Sequence, residues 1–122
     1  MNSQDLIAKR IKFLDLACRL IQFMLQQGYG PTGGDLFRDP RCPYGSEVSL
    51  HREKLAIDIH LYKRDAGLWK YLDQTKDYEV FGVWWEAQDP ECAWGGRFSE
   101  SFKGAGNGND GNHFSLQHTG RK

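Results

Sequence analysis

The stretch Lys54-Leu55-Ala56-Ile57-Asp58-Ile59-His60-Leu61-Tyr62 decides the fold. Its residues alternate. Leu55, Ile57, Ile59 and Leu61 share one side of an extended chain, and Ala56, Asp58, His60 and Tyr62 share the other. The pattern predicts a strand with an apolar back against a core and a polar front. Downstream, Arg64 to Gly67 reads as a hairpin turn and Leu68 to Leu72 as a short returning strand.

Upstream, residues 3 to 27 read as one helix. Ile7, Ile11, Leu14, Cys18, Ile21 and Leu25 recur at spacings of four and three and are expected to line the packing face. Leu6, Phe13, Leu20, Phe23 and Met24 widen that stripe. Gly28, Gly30 and Pro31 supply the stop signal. A short strand is expected around Asp35 to Arg38, then a loop from Asp39 to Ser46. A second helix is expected over 77–87, with Asp77 as N-cap and Asp89-Pro90 as its end. Phe81, Trp84 and Trp85 would dock it on the sheet. Trp94 to Phe98 and the glycine- and asparagine-rich stretch Gly104 to Asn112 read as a long loop, a candidate flap. The last strand runs from His113 to His118. Helix first, then a few strands with a helix between them, predicts an α+β class: an N-terminal helix on a small, mainly antiparallel sheet. The 122 residues suit one domain, spanning 1–122.

Composition narrows the function. Sixteen basic residues balance sixteen acidic ones, so a protein built chiefly to grip nucleic acid or an anionic membrane is not expected. No run approaches the roughly 20 apolar residues of a membrane span, and Met1 to Arg10 lacks the pattern of a secretory signal. A monomer without stable membrane insertion is expected. The cysteines Cys18, Cys42 and Cys92 form no CxxC pair and read as free thiols, with Cys18 in the core.

The chemistry is expected from histidines and carboxylates. His51 precedes the strand that carries Asp58 on its front, and His113 opens the last strand, three residues after Asp110. If those strands are neighbours, His51, Asp58 and His113 converge, and two imidazoles with one carboxylate suit catalytic zinc with water in the fourth position. Asp110 is then placed to move the proton of that water. The plainer alternative is that Asp58 is held by an arginine salt bridge and the histidines are ordinary surface groups. His60 is expected at the surface, and His118 on the face opposite His113. Trp94, beside Gly95-Gly96, belongs either to the core or to a substrate cleft.

Two separated segments carry a resemblance. Ser49-Leu50-His51-Arg52-Glu53-Lys54-Leu55-Ala56-Ile57-Asp58 resembles the S-x-H-x-x-G-x-A-x-D signature of the VanY-like D-Ala-D-Ala carboxypeptidase and dipeptidase family of zinc metallopeptidases. Asp110-Gly111-Asn112-His113 resembles its second signature, an acid three residues before the last zinc histidine. With Trp94-Gly95-Gly96-Arg97-Phe98, these segments are most similar to the phage endolysin branch, the L-alanyl-D-glutamate endopeptidases. The likeness runs from about Gly28 onward. It implies the LAS-type metallopeptidase fold and zinc held by His51, Asp58 and His113. It further implies Asp110 as general base and acid, Arg38 on the substrate carboxylate or oxyanion, and Ser49 as a hydrogen-bonding support. Its substrate would be the peptidoglycan stem peptide, reached from the cytoplasm of a bacterial host after release. Two departures stand out: Lys54 occupies the signature glycine, and Asp110 replaces the glutamate of the dipeptidase branch.

Overall fold

The computed structural model describes residues 3–33, 54–100 and 111–118. In chain order these form α1 (Ser3–Gln26), β1 (Tyr29–Gly33), β2 (Ala56–Asp65), β3 (Leu68–Tyr71), a 3-10 turn (Thr75–Tyr78), α2 (Glu79–Gln88), β4 (Cys92–Trp94), a second 3-10 turn (Gly95–Glu100) and β5 (His113–Leu116). The class is α+β: an N-terminal helix, a small antiparallel sheet and a further helix. The strand and loop expected between residues 35 and 46, and most of the stretch 104–112, lie outside the described residues.

β2 is the spine of the sheet. On one edge it pairs antiparallel with β1, from Tyr29 opposite Lys63 to Gly33 opposite Ile59. Its other edge is shared. β5 takes the first part, with Ala56, Ile57 and Asp58 opposite Ser115, Phe114 and His113. β3 takes the last part, from Tyr62–Tyr71 to Asp65–Leu68. Tyr78 fills the gap between these two partners. Its hydroxyl accepts from the Leu61 amide at 3.0 Å and donates to the Leu72 carbonyl at 2.7 Å. The two groups are thereby satisfied without a strand beside them, and burial pushes the phenol up to about 12. β4 closes the sheet against β5. The β2–β3 connection is a two-residue hairpin in which Ala66 and Gly67 both have positive φ, 52° and 81°, the conformation that matches strand twist.

The alternation expected for β2 is present: Leu55, Ile57, Ile59 and Leu61 are buried, while Asp58, His60 and Tyr62 are partly exposed. Ala56, on the front, is fully covered as well.

The helix face expected to pack is not the one that packs. The buried residues of α1 are Lys9, Phe13, Leu16, Ala17, Leu20 and Met24. Of the four-three stripe, Ile7, Ile11, Leu14 and Leu25 are 46%, 66%, 63% and 51% exposed, Cys18 is exposed, and only Ile21 touches the core. The helix has two apolar stripes, and the one bearing the larger aromatic residue and the smallest side chain, Phe13 and Ala17, interlocks with the aromatic residues of α2. Phe13 meets Trp85 edge-on at 6.0 Å, and Phe23 stacks on Trp84 at 5.4 Å and meets Phe81 at 5.5 Å. Each such buried apolar side chain contributes about 1.5–3 kcal/mol.

Lys9 is buried on this face with its amine bonded to two acceptors. It bonds Glu91 at 2.9 Å and the Gln117 carbonyl, while Lys12 reaches Asp89 and Glu91, both at 3.1 Å. The Lys9 amine, then that of Lys12, holds the Glu91 carboxyl below its usual range. These contacts tie α1 to the α2–β4 connection.

Three further expectations need correction. Gly28 to Pro31 does end the helix, but Tyr29–Gly33 continues as an edge strand, where a proline without a donor is tolerated. Asp77 is not the helix N-cap; it lies inside the 3-10 turn, and its carboxylate accepts from the Gln74 amide at 3.3 Å. Trp94 ends a strand, and residues 95–100 form a 3-10 turn where a loop was expected.

Candidate metal centre

Strand register brings the two halves of the site together. Asp58 and His113 are fifty-five residues apart in sequence and directly opposite each other in the β2–β5 ladder. His113 Nδ1 stands 3.3 Å from Asp58 Oδ1, and the two side chains are 8% and 18% exposed. The carboxylate therefore sits at the lip of the site, with the imidazole behind it.

The spacing allows two arrangements. As a hydrogen bond, 3.3 Å is long, with Nδ1–H donating to the carboxylate. It is also the separation expected of two ligands on one tetrahedral zinc ion, since donors each about 2.0–2.1 Å from the metal stand about 3.3 Å apart. An imidazole nitrogen and a carboxylate oxygen, largely dry and one ligand-spacing apart, are two of the three protein donors that a catalytic zinc takes. Among the described residues no group of three or more His, Cys, Asp or Glu side chains converges. His51, the third expected ligand, lies outside the described residues, as do Asp110, Arg38 and Ser49.

The turn before His113 is held from three sides. The Asn112 carbonyl accepts from the Ile59 amide at 2.8 Å. The Gly111 carbonyl accepts from Trp94 Nε1 at 2.7 Å. Gly111 also lies so close to Thr75 that a Cβ there would come within 2.9 Å of its backbone. Trp94 is 4% exposed, and its indole supports the Gly111 turn. Its ring needs Gly82 and Gly96 beside it, where a Cβ would come within 2.1 and 2.3 Å of the indole. Arg97 lies over the same ring at 5.5 Å and pairs with Glu86 at 3.0 Å.

His60 continues the front of β2 two residues beyond Asp58. It is partly exposed, and its Nδ1 lies 3.0 Å from the Tyr71 hydroxyl. Tyr71 pairs with Tyr62, and beyond them Trp69, Pro31 and Thr32 border a shallow apolar groove. This aromatic continuation of the site escaped the sequence reading, because its residues come from the opposite edges of β2. His118 is buried. Cys92 lies in β4, and burial pushes its thiol up to about 12, leaving it unreactive at neutral pH.

No protein-family model and no curated protein matches the chain.

Lys54 gives an independent sign of local geometry. Its φ is 62°, in the left-handed region that favours glycine, and it stands where the resembled signature has glycine. Lys54→Gly is expected to stabilise the chain by about 0.5–1 kcal/mol, the left-handed cost less the entropy glycine adds to the unfolded state. Thermal denaturation of the two proteins checks this; a lower melting temperature for Lys54→Gly would show that the backbone there is not strained.

Proposed function

We propose that the chain is a zinc-dependent peptidoglycan endopeptidase that hydrolyses the L-Ala–D-Glu bond of stem peptides, a phage-type endolysin with the LAS-type fold. The observation that carries this reading is the juxtaposition of Asp58 and His113 across the β2–β5 ladder at 3.3 Å. The left-handed backbone at Lys54 and the order of the two sequence motifs add to it.

In this reading His51, Asp58 and His113 hold zinc, and Ser49 hydrogen-bonds at the site. Bound there, the metal would supply Lewis acidity toward the scissile carbonyl and lower the pKa of a bound water from 15.7 to about 7. Asp110 takes the proton of the attacking water and returns it to the leaving amine. Arg38 binds the substrate carboxylate or the tetrahedral oxyanion, for which a fixed guanidinium is well suited. Trp94 acts at one remove, by anchoring Gly111 and with it the strand that begins at His113. The enzyme would be made in the cytoplasm of a bacterial host and reach the wall after release. No helix among the described residues is long and apolar enough to cross a membrane.

Digestion of purified sacculi with the zinc-loaded protein, read by mass spectrometry, tests the proposal. The expected products carry new D-Glu amino termini and new L-Ala carboxyl termini, and a chelator stops their release. Release of free D-Ala instead would assign a D,D-carboxypeptidase. Intact stem peptides, with zinc bound, would point to a non-catalytic wall-binding or virion protein.

A further inference from the structure

The front of β2 continues past the candidate metal centre into an aromatic platform, and we propose that this platform is a sugar-binding subsite for the glycan strand to which the stem peptide is attached. The subsite deepens the endopeptidase reading and rests on it. The substrate is then glycan-linked peptide and not free peptide.

Strand register puts the platform on the face that carries the Asp58–His113 pair. Residues directly opposite one another in a ladder share a face. Thr32 lies opposite His60, Gly30 and Tyr71 flank Tyr62, and Trp69 lies opposite Arg64. These residues extend the row that Asp58 begins. At about 3.3 Å per residue, His60 stands about 7 Å along β2 from Asp58, and Tyr62 about 13 Å.

Trp69 and Tyr71 take no part in the core. All four residues of β3 are exposed, Trp69 at 51% and Tyr71 at 47%. Both rings are nevertheless held. Arg64 lies over Trp69 at 5.0 Å, and its guanidinium is fixed by donating to the Gly67 carbonyl at 3.2 Å. The indole reaches across β2 to β1, where a Cβ on Gly30 would come within 2.9 Å of it. Tyr71 lies against Tyr62 at 5.4 Å, and its hydroxyl is 3.0 Å from His60 Nδ1. Gly30, Pro31, Thr32, Tyr62 and Trp69 border the groove with the rings already set, so a ligand gains contact at little entropic cost.

The substrate's own chemistry selects the occupant. The amine of the stem's L-Ala is acylated by the lactyl arm of the muramyl sugar. One residue spans at most about 3.6 Å, so cleavage at L-Ala–D-Glu brings that sugar close to the metal centre. The glycan strand must then cross the neighbouring surface. His60 and Tyr71 meet the first sugar, and Tyr62 and Trp69 the next. A pyranose ring offers slightly positive axial C–H groups to the negative face of an aromatic ring. Its hydroxyl and acetamide groups suit polar tips such as the Tyr71 hydroxyl. An extended peptide would lack main-chain partners here, because the ladder groups of β2 lie in the plane of the sheet and are taken by β1, β3 and β5. A nucleic acid strand calls for a basic excess, whereas sixteen basic residues balance sixteen acidic ones.

Isothermal titration with peptide-free glycan chains, prepared from sacculi with an amidase, tests the subsite. These chains hold no scissile bond, so the measurement does not depend on hydrolysis. Saturable binding at submillimolar concentration is expected. Trp69→Ala is expected to keep the native circular dichroism and weaken binding at least ~10-fold, the loss typical of a missing stacking ring. Gly30→Ala keeps every ring but displaces the indole, and is expected to weaken binding as well. In hydrolysis, KM for a disaccharide-linked tetrapeptide is expected to lie at least ~10-fold below that for the same tetrapeptide alone, and Trp69→Ala to close the gap. A parent that binds no glycan, or takes a proline-rich peptide in its place, overturns the subsite. So do glycan affinities unchanged in both variants. Equal KM values in an active parent overturn it too, and leave the endopeptidase reading standing. Glycan bound by a parent that cuts neither substrate overturns the endopeptidase reading, and with it the groove's role as a substrate subsite.

Discussion

On the proposed zinc reading, Asp58→Ala is expected to lower the rate of peptidoglycan hydrolysis at least ~100-fold and to abolish zinc binding. Losing a group that merely orients a ligand costs about 10–100-fold in affinity or activity, and Asp58 is proposed as a ligand itself. The substitution removes the oxygen that stands 3.3 Å from His113 Nδ1 and leaves a largely buried imidazole facing a smaller side chain. Asp58 is not part of the apolar core, so the variant is expected to fold. Zinc content by atomic absorption and hydrolysis rate, measured on the same preparation, check the outcome. Asp110→Ala provides the contrast: hydrolysis lost, zinc retained. A fully active Asp58→Ala protein would leave the metal reading without support.

Trp85→Ala is expected to be the most damaging core substitution, costing about 3–5 kcal/mol by cavity formation. Trp85 is fully buried and meets Phe13 and Phe114 edge-on, each at 6.0 Å. It therefore joins α1, α2 and β5 in one contact. Its indole also donates to the Ser115 carbonyl at 3.0 Å, a hydrogen bond worth about 0.5–1.5 kcal/mol that is lost with the ring. Domains of this size are stable by about 5–15 kcal/mol, so the melting temperature should fall by about 10–20 °C. Trp69→Ala is the control: Trp69 is 51% exposed, and the change should be small. Equal losses at the two positions would show that the core is not organised around Trp85.

The strand at the centre of the fold was legible because period two in Leu55 to Tyr62 is unambiguous. The turn after it was legible because Ala66-Gly67 lies between two alternating runs. The helix was legible too, but not its orientation. Two apolar stripes run along α1, and the aromatic and small side chains of one, Phe13 and Ala17, acquire meaning only against Phe81 and Trp85. That choice depends on residues some sixty to seventy positions away. β1 and β4 were missed for a related reason. Tyr29–Gly33 and Cys92–Trp94 are short, carry glycine, proline or small residues, and are held by pairing with β2 and β5, not by propensity of their own. Of the candidate site, the meeting of Asp58 and His113 was anticipated from strand faces and motif order. The supports of that meeting, Trp94 on Gly111 and Tyr78 between β3 and β5, come from contacts across the sheet that no spacing reveals.

Ten residues of β2 hold the core on one side and the candidate chemistry on the other. Sliding this strand by a single position would turn Asp58 and His60 inward and Ile57 and Ile59 outward. Misfolded forms with that error would lose cohesion and reactivity together, so a population of well-packed but misaligned, inert molecules should not accumulate. Activity per mole of protein should then track the folded fraction directly.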